Sequence, residues 1–211
     1  MSQQGPITVL ALVDRKNVFV RQVHELGEWV GFETRNKYQI QDDKGIDLGF
    51  AAEQQKGLLG LILRQLLGHW RTFDIYIYDQ ARQNVLIAHH PFRFFFQRLE
   101  IRTKEGNPLG AIQQRFAFFH KRFDVENAKG QVLLEVASPI WKIWTFQFRK
   151  KDRQVAQVTK KWSGLLAEAL TDKDNFLVEF QDAGLTAEER VLVLSAALFI
   201  DLQYFERKAG K

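Results

Sequence analysis

Cysteine is absent from this chain of 211 residues. That excludes disulfide cross-links and thiolate metal sites, and it suits a reducing cytoplasm. Proline occurs only four times, and no Pro- or Ser-rich linker divides the chain, so one domain over residues 1–211 is expected. The N-terminus, "MSQQGPITVLALVDRKN", lacks a basic leader region and its apolar run is cut by Asp14; a secretory signal is not expected. Long hydrophobic runs are missing too. The longest, Val191 to Ile200, is interrupted only by Ser195 and is bracketed by Arg190 and Asp201. A membrane-spanning helix needs about 20 apolar residues, so this stretch reads as a core helix over 186–206.

Catalytic patterns are also missing. There is no phosphate-binding glycine loop, no HExxH helix and no nucleophile elbow. His24, His69, His89, His90 and His120 show no ligand spacing with carboxylates. A conventional enzyme is not expected.

What is present is aromatic and mildly basic: 18 Phe, 5 Trp and a formal net charge of +5. A basic excess leans toward anionic partners, either nucleic acid or an acidic membrane face. Short β-type runs repeat from the start, as in "ITVLALV" (7–13), "VFVRQVH" (18–24), "YQIQ" (38–41) and "LGFAAE" (48–53). "TFDIYIYD" (72–79) alternates strictly, with Phe73, Ile75 and Ile77 on one face. "VLIAHH", "FRFFFQRLEIR", "LGAIQQ", "FAFFHKRFDV", "QVLLEVA", "WTFQFRK", "QVAQVTKKW" and "NFLVEF" continue the series, and turns such as "DDKG", "TKEGN" and "ENAKG" fall between runs. About a dozen strands at hairpin spacing point to a sandwich or closed barrel.

Two segments break this rhythm. "KGLLGLILRQLLGHWR" (56–71) places Leu58, Leu59, Ile62, Leu63, Leu66, Leu67 and Trp70 on one helical face and Arg64 and Arg71 on a narrow opposite one. That is the pattern of an interfacial membrane helix, and equally of a helix plugging one end of a barrel. The second is "LTAEERVLVLSAALFI", where Thr186 and Glu189 have the spacing of a capping box. A helix apolar on every side and too short to span belongs inside its own protein.

The segments "GFETRNKYQI" (31–40), "FAAEQQ" (50–55), "HPFRF" (90–94), "KKWSGLLAEALTDKDNF" (160–176) and "LFIDLQYFE" (198–206) together resemble the phospholipid scramblase family, itself related to the tubby C-terminal domain and the plant LURP-one-like proteins. The resemblance runs in order from about residue 12 to 206. It implies a mainly β, tubby-like closed barrel of twelve antiparallel strands around a buried hydrophobic C-terminal helix. It also implies phospholipid as the partner and transbilayer lipid movement as the activity. Animal members carry a Pro-rich N-terminal extension and a palmitoylated cysteine cluster. Here the matching place reads "HHPFRFFFQR" (89–98), where acylation of cysteine is impossible and Phe either substitutes for the anchor or packs within a covered strand.

Family members are proposed to bind calcium in the stretch that here reads "DKDNFLVEFQD" (172–182). An EF-hand loop wants acids at positions 1, 3, 5 and 12 and glycine at 6. Counted from Asp172, Asp174 fits, but Phe176, Leu177 and Ala183 do not. Asp172, Asp174 and Asn175 remain a weak calcium candidate beside the reading as a polar turn.

"PIWKIWTFQFRKKDRQ" (139–154) is the leading candidate for anion contact. Tryptophan favours the headgroup region, and each Lys or Arg near an acidic surface adds about 1 kcal/mol of attraction. The expectation is therefore a cytoplasmic protein, peripheral on the inner face of the plasma membrane. Arg64, Arg93, Lys142, Arg149, Lys150 and Lys151 would contact acidic headgroups, while Trp70, Phe95, Trp141 and Trp144 insert shallowly. The alternatives are a protein-interaction scaffold using 56–71 to dock a partner and, third, single-stranded nucleic-acid binding.

Overall fold

A computed structural model of the chain describes residues 10–23, 34–54, 72–139, 141, 144–161 and 175–205. Its strands are β1 (Asn17–Val23), β2 (Thr34–Asp42), β3 (Asp47–Gln54), β4 (Phe73–Asp79), β5 (Asn84–His90), β6 (Arg98–Thr103), β7 (Pro108–Arg115), β8 (His120–Asn127), β9 (Val132–Pro139), β10 (Thr145–Lys150), β11 (Arg153–Lys161) and β12 (Asn175–Phe180). A single helix follows among the described residues, α1 (Ala187–Ile200), running into a π-helical turn (Asp201–Phe205). Each strand pairs antiparallel with its sequence neighbours, and β12 closes onto β1 through pairs such as Val18↔Val178, making a closed barrel.

Alternation decides which side chains fill it. Phe73, Ile75 and Ile77 of β4 point inward with Leu86 and Ala88 of β5, all buried. The outer wall carries charge instead. Arg98 meets Glu100 and Glu126, Arg115 meets Asp124 and Glu126, and His89 meets Asp74, each within 2.6–3.1 Å. A barrel that crosses a membrane shows an apolar band outside and a polar lumen. This one is the reverse.

The lumen holds α1. Every residue from Glu189 to Ile200 is buried, and Phe199 stacks edge-on to Phe123 of β8. Gly110 of β7 is shaped by this fit: a Cβ there would lie 2.2 Å from the Glu126 carbonyl oxygen and 3.0 Å from Leu192. The capping box forms as its spacing predicts, with Thr186 Oγ1 accepting from the Glu189 amide and Glu189 Oε2 accepting from the Thr186 amide. Lys150 donates to the remaining Glu189 oxygen at 2.6 Å. Arg190 is buried and donates to the carbonyls of Leu12, Arg15 and Leu185. Burial lowers its guanidinium below the ordinary arginine value, with Asp14 and Asp182 pulling the other way.

Three strand readings are corrected. The described part of 7–13 is turn and coil, with Leu10 and Leu12 buried in the core rather than in a ladder. Phe92 to Phe96 and Phe116 to Phe119 precede β6 and β8 as loops. Phe has the same hydrophobicity and β preference whether it packs or projects, so the runs read as longer strands than they are.

Candidate functional site

The two ends of the barrel differ in construction. At one end β2–β3, β4–β5, β6–β7 and β8–β9 are joined by four versions of the same three-residue hairpin. In each, an oxygen-bearing residue opens the turn (Asp42, Asp79, Thr103, Asn127), and its side chain accepts the amide of the residue four positions on. A positive-φ residue closes it at the third step: Gly45, Arg82, Gly106 and Gly130. Such a turn followed by a left-handed residue is a favoured hairpin geometry. Lys150, Lys151 and Arg153 lie at this polar end, and so does the start of α1.

The opposite end carries aromatics. Phe92, Phe94, Phe95 and Phe96 of the β5–β6 loop are exposed, as are Phe116, Phe118 and Phe119 of the β7–β8 loop and Trp141 of the β9–β10 connection. Phe95 keeps 80% of its surface, Phe118 81% and Trp141 73%. The two loops meet edge to face at Phe96 and Phe116, and contacts continue from Phe116 to Phe118 and Phe119, while Phe92 packs edge-on to Phe94. The remaining exposed large hydrophobics among the described residues, Val13, Ile46 and Val132, stand singly on the polar side. The C-terminal end of α1 reaches the aromatic end, where Gln203 Nε2 lies 3.4 Å from His90 Nε2 and Phe73 stacks on His90 at 4.5 Å.

The residues singled out by sequence therefore fall in different places. Arg93 and Phe95 share one exposed loop with Phe92 and Phe94. Trp141 is at the same end. Trp144 is half-buried against the core, with the Lys160 ammonium 5.7 Å from its ring. Arg149 and Lys150 form the other end of β10 and Lys151 follows in the turn, roughly 20 Å away at about 3.3 Å per residue. Lys150 is engaged by Glu189, while Arg149 and Lys151 are exposed. The strand thus divides a stretch that looks continuous in sequence. Arg64, Trp70, Lys142, Asp172 and Asp174 lie outside the described residues, as does the 56–71 segment. Asn175 opens β12 opposite Arg21 and Lys161. Among the described residues, no group of three or more His, Asp or Glu side chains is placed to hold a metal ion. Phe116, Phe118 and Phe119 were missed as surface residues; the basic flank of "RFAFFHKR" was the available signal.

The family model described as Scramblase matches residues 1–207. Phospholipid scramblase 1 of Mus musculus is 30% identical over 96% of this chain and 64% of its own length. For phospholipid scramblase 1 of Homo sapiens the figures are 30%, 88% and 61%. A phospholipid scramblase family protein of Schizosaccharomyces pombe is 25% identical over 90% of the chain and 59% of its own length. The chain thus spans a little under two thirds of the length of these three relatives. The X-ray structure of an Arabidopsis thaliana protein superposes with a TM-score of 0.53 at 14% identity, covering 93% of this chain and 98% of that one, which is a likeness of fold.

Proposed function

The chain belongs to the scramblase family, and from that premise we propose that it is a scramblase-like protein that associates peripherally with acidic phospholipid membranes. The observation that carries this reading is where the apolar helix sits. α1 is the stretch most like an anchor, yet it is buried inside the barrel, and Arg190 and Asp201 at its two ends are hydrogen-bonded to the barrel and its N-terminal lead-in. No helix among the described residues is long and apolar enough to cross a membrane. Lipid contact through the described barrel then comes from outside it.

Preference for acidic lipid follows from the +5 charge, with Arg64, Arg93 and Lys142 as the headgroup contacts and Trp70, Phe95 and Trp141 as the inserting residues. Arg149, Lys150 and Lys151, at the far end of β10, add only long-range attraction, and Trp144 is half-buried against the core. The inner face of the plasma membrane fits because it carries the anionic lipids. Transbilayer movement, the activity in the relatives' names, would require oligomers or local thinning of the bilayer, since a filled barrel offers headgroups no polar path.

Flotation with phosphatidylcholine vesicles, with and without phosphatidylserine or phosphoinositide, tests the reading. Recovery with the anionic vesicles alone is expected. Failure to float with any vesicle overturns it and makes a protein partner of the 56–71 segment the next search. Adding calcium tests Asp172, Asp174 and Asn175 directly: a calcium-strengthened flotation lost in Asp174→Asn would make them a site.

A further inference from the structure

We propose that the barrel docks on the bilayer end-on, through the aromatic ridge of the β5–β6 and β7–β8 loops, with the hairpins that carry Arg149 and Lys151 facing away from the lipid. This rests on the peripheral-lipid reading above and names the surface and orientation it uses.

Four observations point to this end. Seven of the chain's 18 Phe are exposed on these two loops, a concentration of exposed apolar surface that marks an interaction site. Phe96 and Phe116 join the two loops edge to face, and the ring contacts run on to Phe118 and Phe119. The most exposed rings, Phe95 and Phe118, keep 80% and 81% of their surface, which suits a fluid apolar phase that fills in around them. Finally, neither 91–97 nor 116–119 contains a carboxylate, whereas Arg93 is exposed within the first loop. That charge matches a phosphate layer with an apolar layer beneath it.

The opposite end is built for water. Its hairpins use Asp, Asn, Lys and Gln at their tips, and its exposed apolar residues are isolated ones. The +5 charge still draws the whole protein toward an acidic surface, but the rings decide which end enters. The chain's lack of cysteine leaves a place for a single label at either end.

The test compares full-length variants. Phe95→Ser with Phe118→Ser removes the two most exposed rings without touching the core. Arg149→Glu with Lys151→Glu reverses charge at the other end. Binding to phosphatidylserine-containing vesicles should fall at least about tenfold in the first, since withdrawing one Phe from water contributes on the order of tenfold in affinity. The second should lose little beyond general attraction. An environment-sensitive dye on Phe95→Cys should shift to the blue on vesicles, and the same dye on Lys151→Cys should not. If the wild type floats, the ring variant floats equally and the dye at 151 shifts instead, the orientation is overturned while lipid binding stands. If the rings matter only for a concentration-dependent dimer, the ridge pairs copies of the chain and the proposal also fails. A wild type that never floats removes both this inference and the reading beneath it.

Discussion

Tyr38 donates its phenolic hydrogen to Asp201 Oδ2 at 2.7 Å, joining the wall of the barrel to the residue that ends its core helix 163 positions later. Both groups are buried, so the bond is made out of water and ties the C-terminal end of α1 to β2. Tyr38→Phe keeps the ring and deletes the hydroxyl, leaving a buried carboxylate with one donor fewer. Stability should fall by roughly 1–3 kcal/mol. The urea midpoint should move with an unchanged slope; an unchanged midpoint would mean that the helix end is held by other contacts.

Gly110 makes a sharper test of how closely wall and helix fit. A methyl group there meets a carbonyl oxygen on β8 and the Leu192 side chain on α1, and the first cannot move without breaking the ladder. Gly110→Ala should destabilise by at least about 2–3 kcal/mol through overpacking. Gly130→Ala meets nothing within 4 Å but keeps φ at +76°, so it should cost about 1 kcal/mol of backbone strain. Thermal unfolding of the two variants ranks packing against strain. A Gly110→Ala protein as stable as Gly130→Ala would rule out the tight fit.

Acid should weaken the polar end through Asp42. Burial raises this carboxyl, but hydrogen bonds from the Ile46 and Lys44 amides and the charge of Arg15 outweigh it and hold the group below its ordinary value. A depressed folded value stabilises the protein at pH above the unfolded carboxyl, about 3.9, and that contribution is lost as pH falls through the lower folded value. Asp42→Asn should therefore be less stable than wild type at neutral pH, and the gap should narrow in acid. A gap constant from neutral pH down to strong acid would sink the assignment.

Much of this architecture is written locally. The alternation of "FDIYIYD", the Thr186–Glu189 capping box and the glycines of "DDKG", "TKEGN" and "ENAKG" each specify a backbone state from a few adjacent residues, and the structure has them all. The candidate surface was less legible because it depends on which strand ends share a side of the barrel. Trp141 and Lys151 are ten residues apart and look like one patch until β10 carries the chain from one end to the other. Phe96 and Phe116 are twenty apart and look unrelated until the β6–β7 hairpin brings them edge to face. Even strand length hid the ridge, since "FRFFFQRLEIR" differs from a covered strand only in where its first five residues project.

The repeated hairpin also exposes one position where the sequence departs from the local rule. Three of the four turns place glycine at the left-handed residue, whereas β4–β5 places Arg82 there, at φ 61°. An L-residue in that conformation costs roughly 1–2 kcal/mol that glycine avoids. Glycine also loosens the unfolded chain, which returns about 0.4–1 kcal/mol of the gain. Arg82 is exposed, so its own side-chain interactions are made in water and are weak. Arg82→Gly should therefore stabilise the protein by roughly 0.5–1 kcal/mol, read as a rise of about 1–4 °C in Tm. A fall would show that contacts of the Arg82 side chain exceed the strain of its backbone, and the residue would then be held there by what it binds rather than tolerated by the turn.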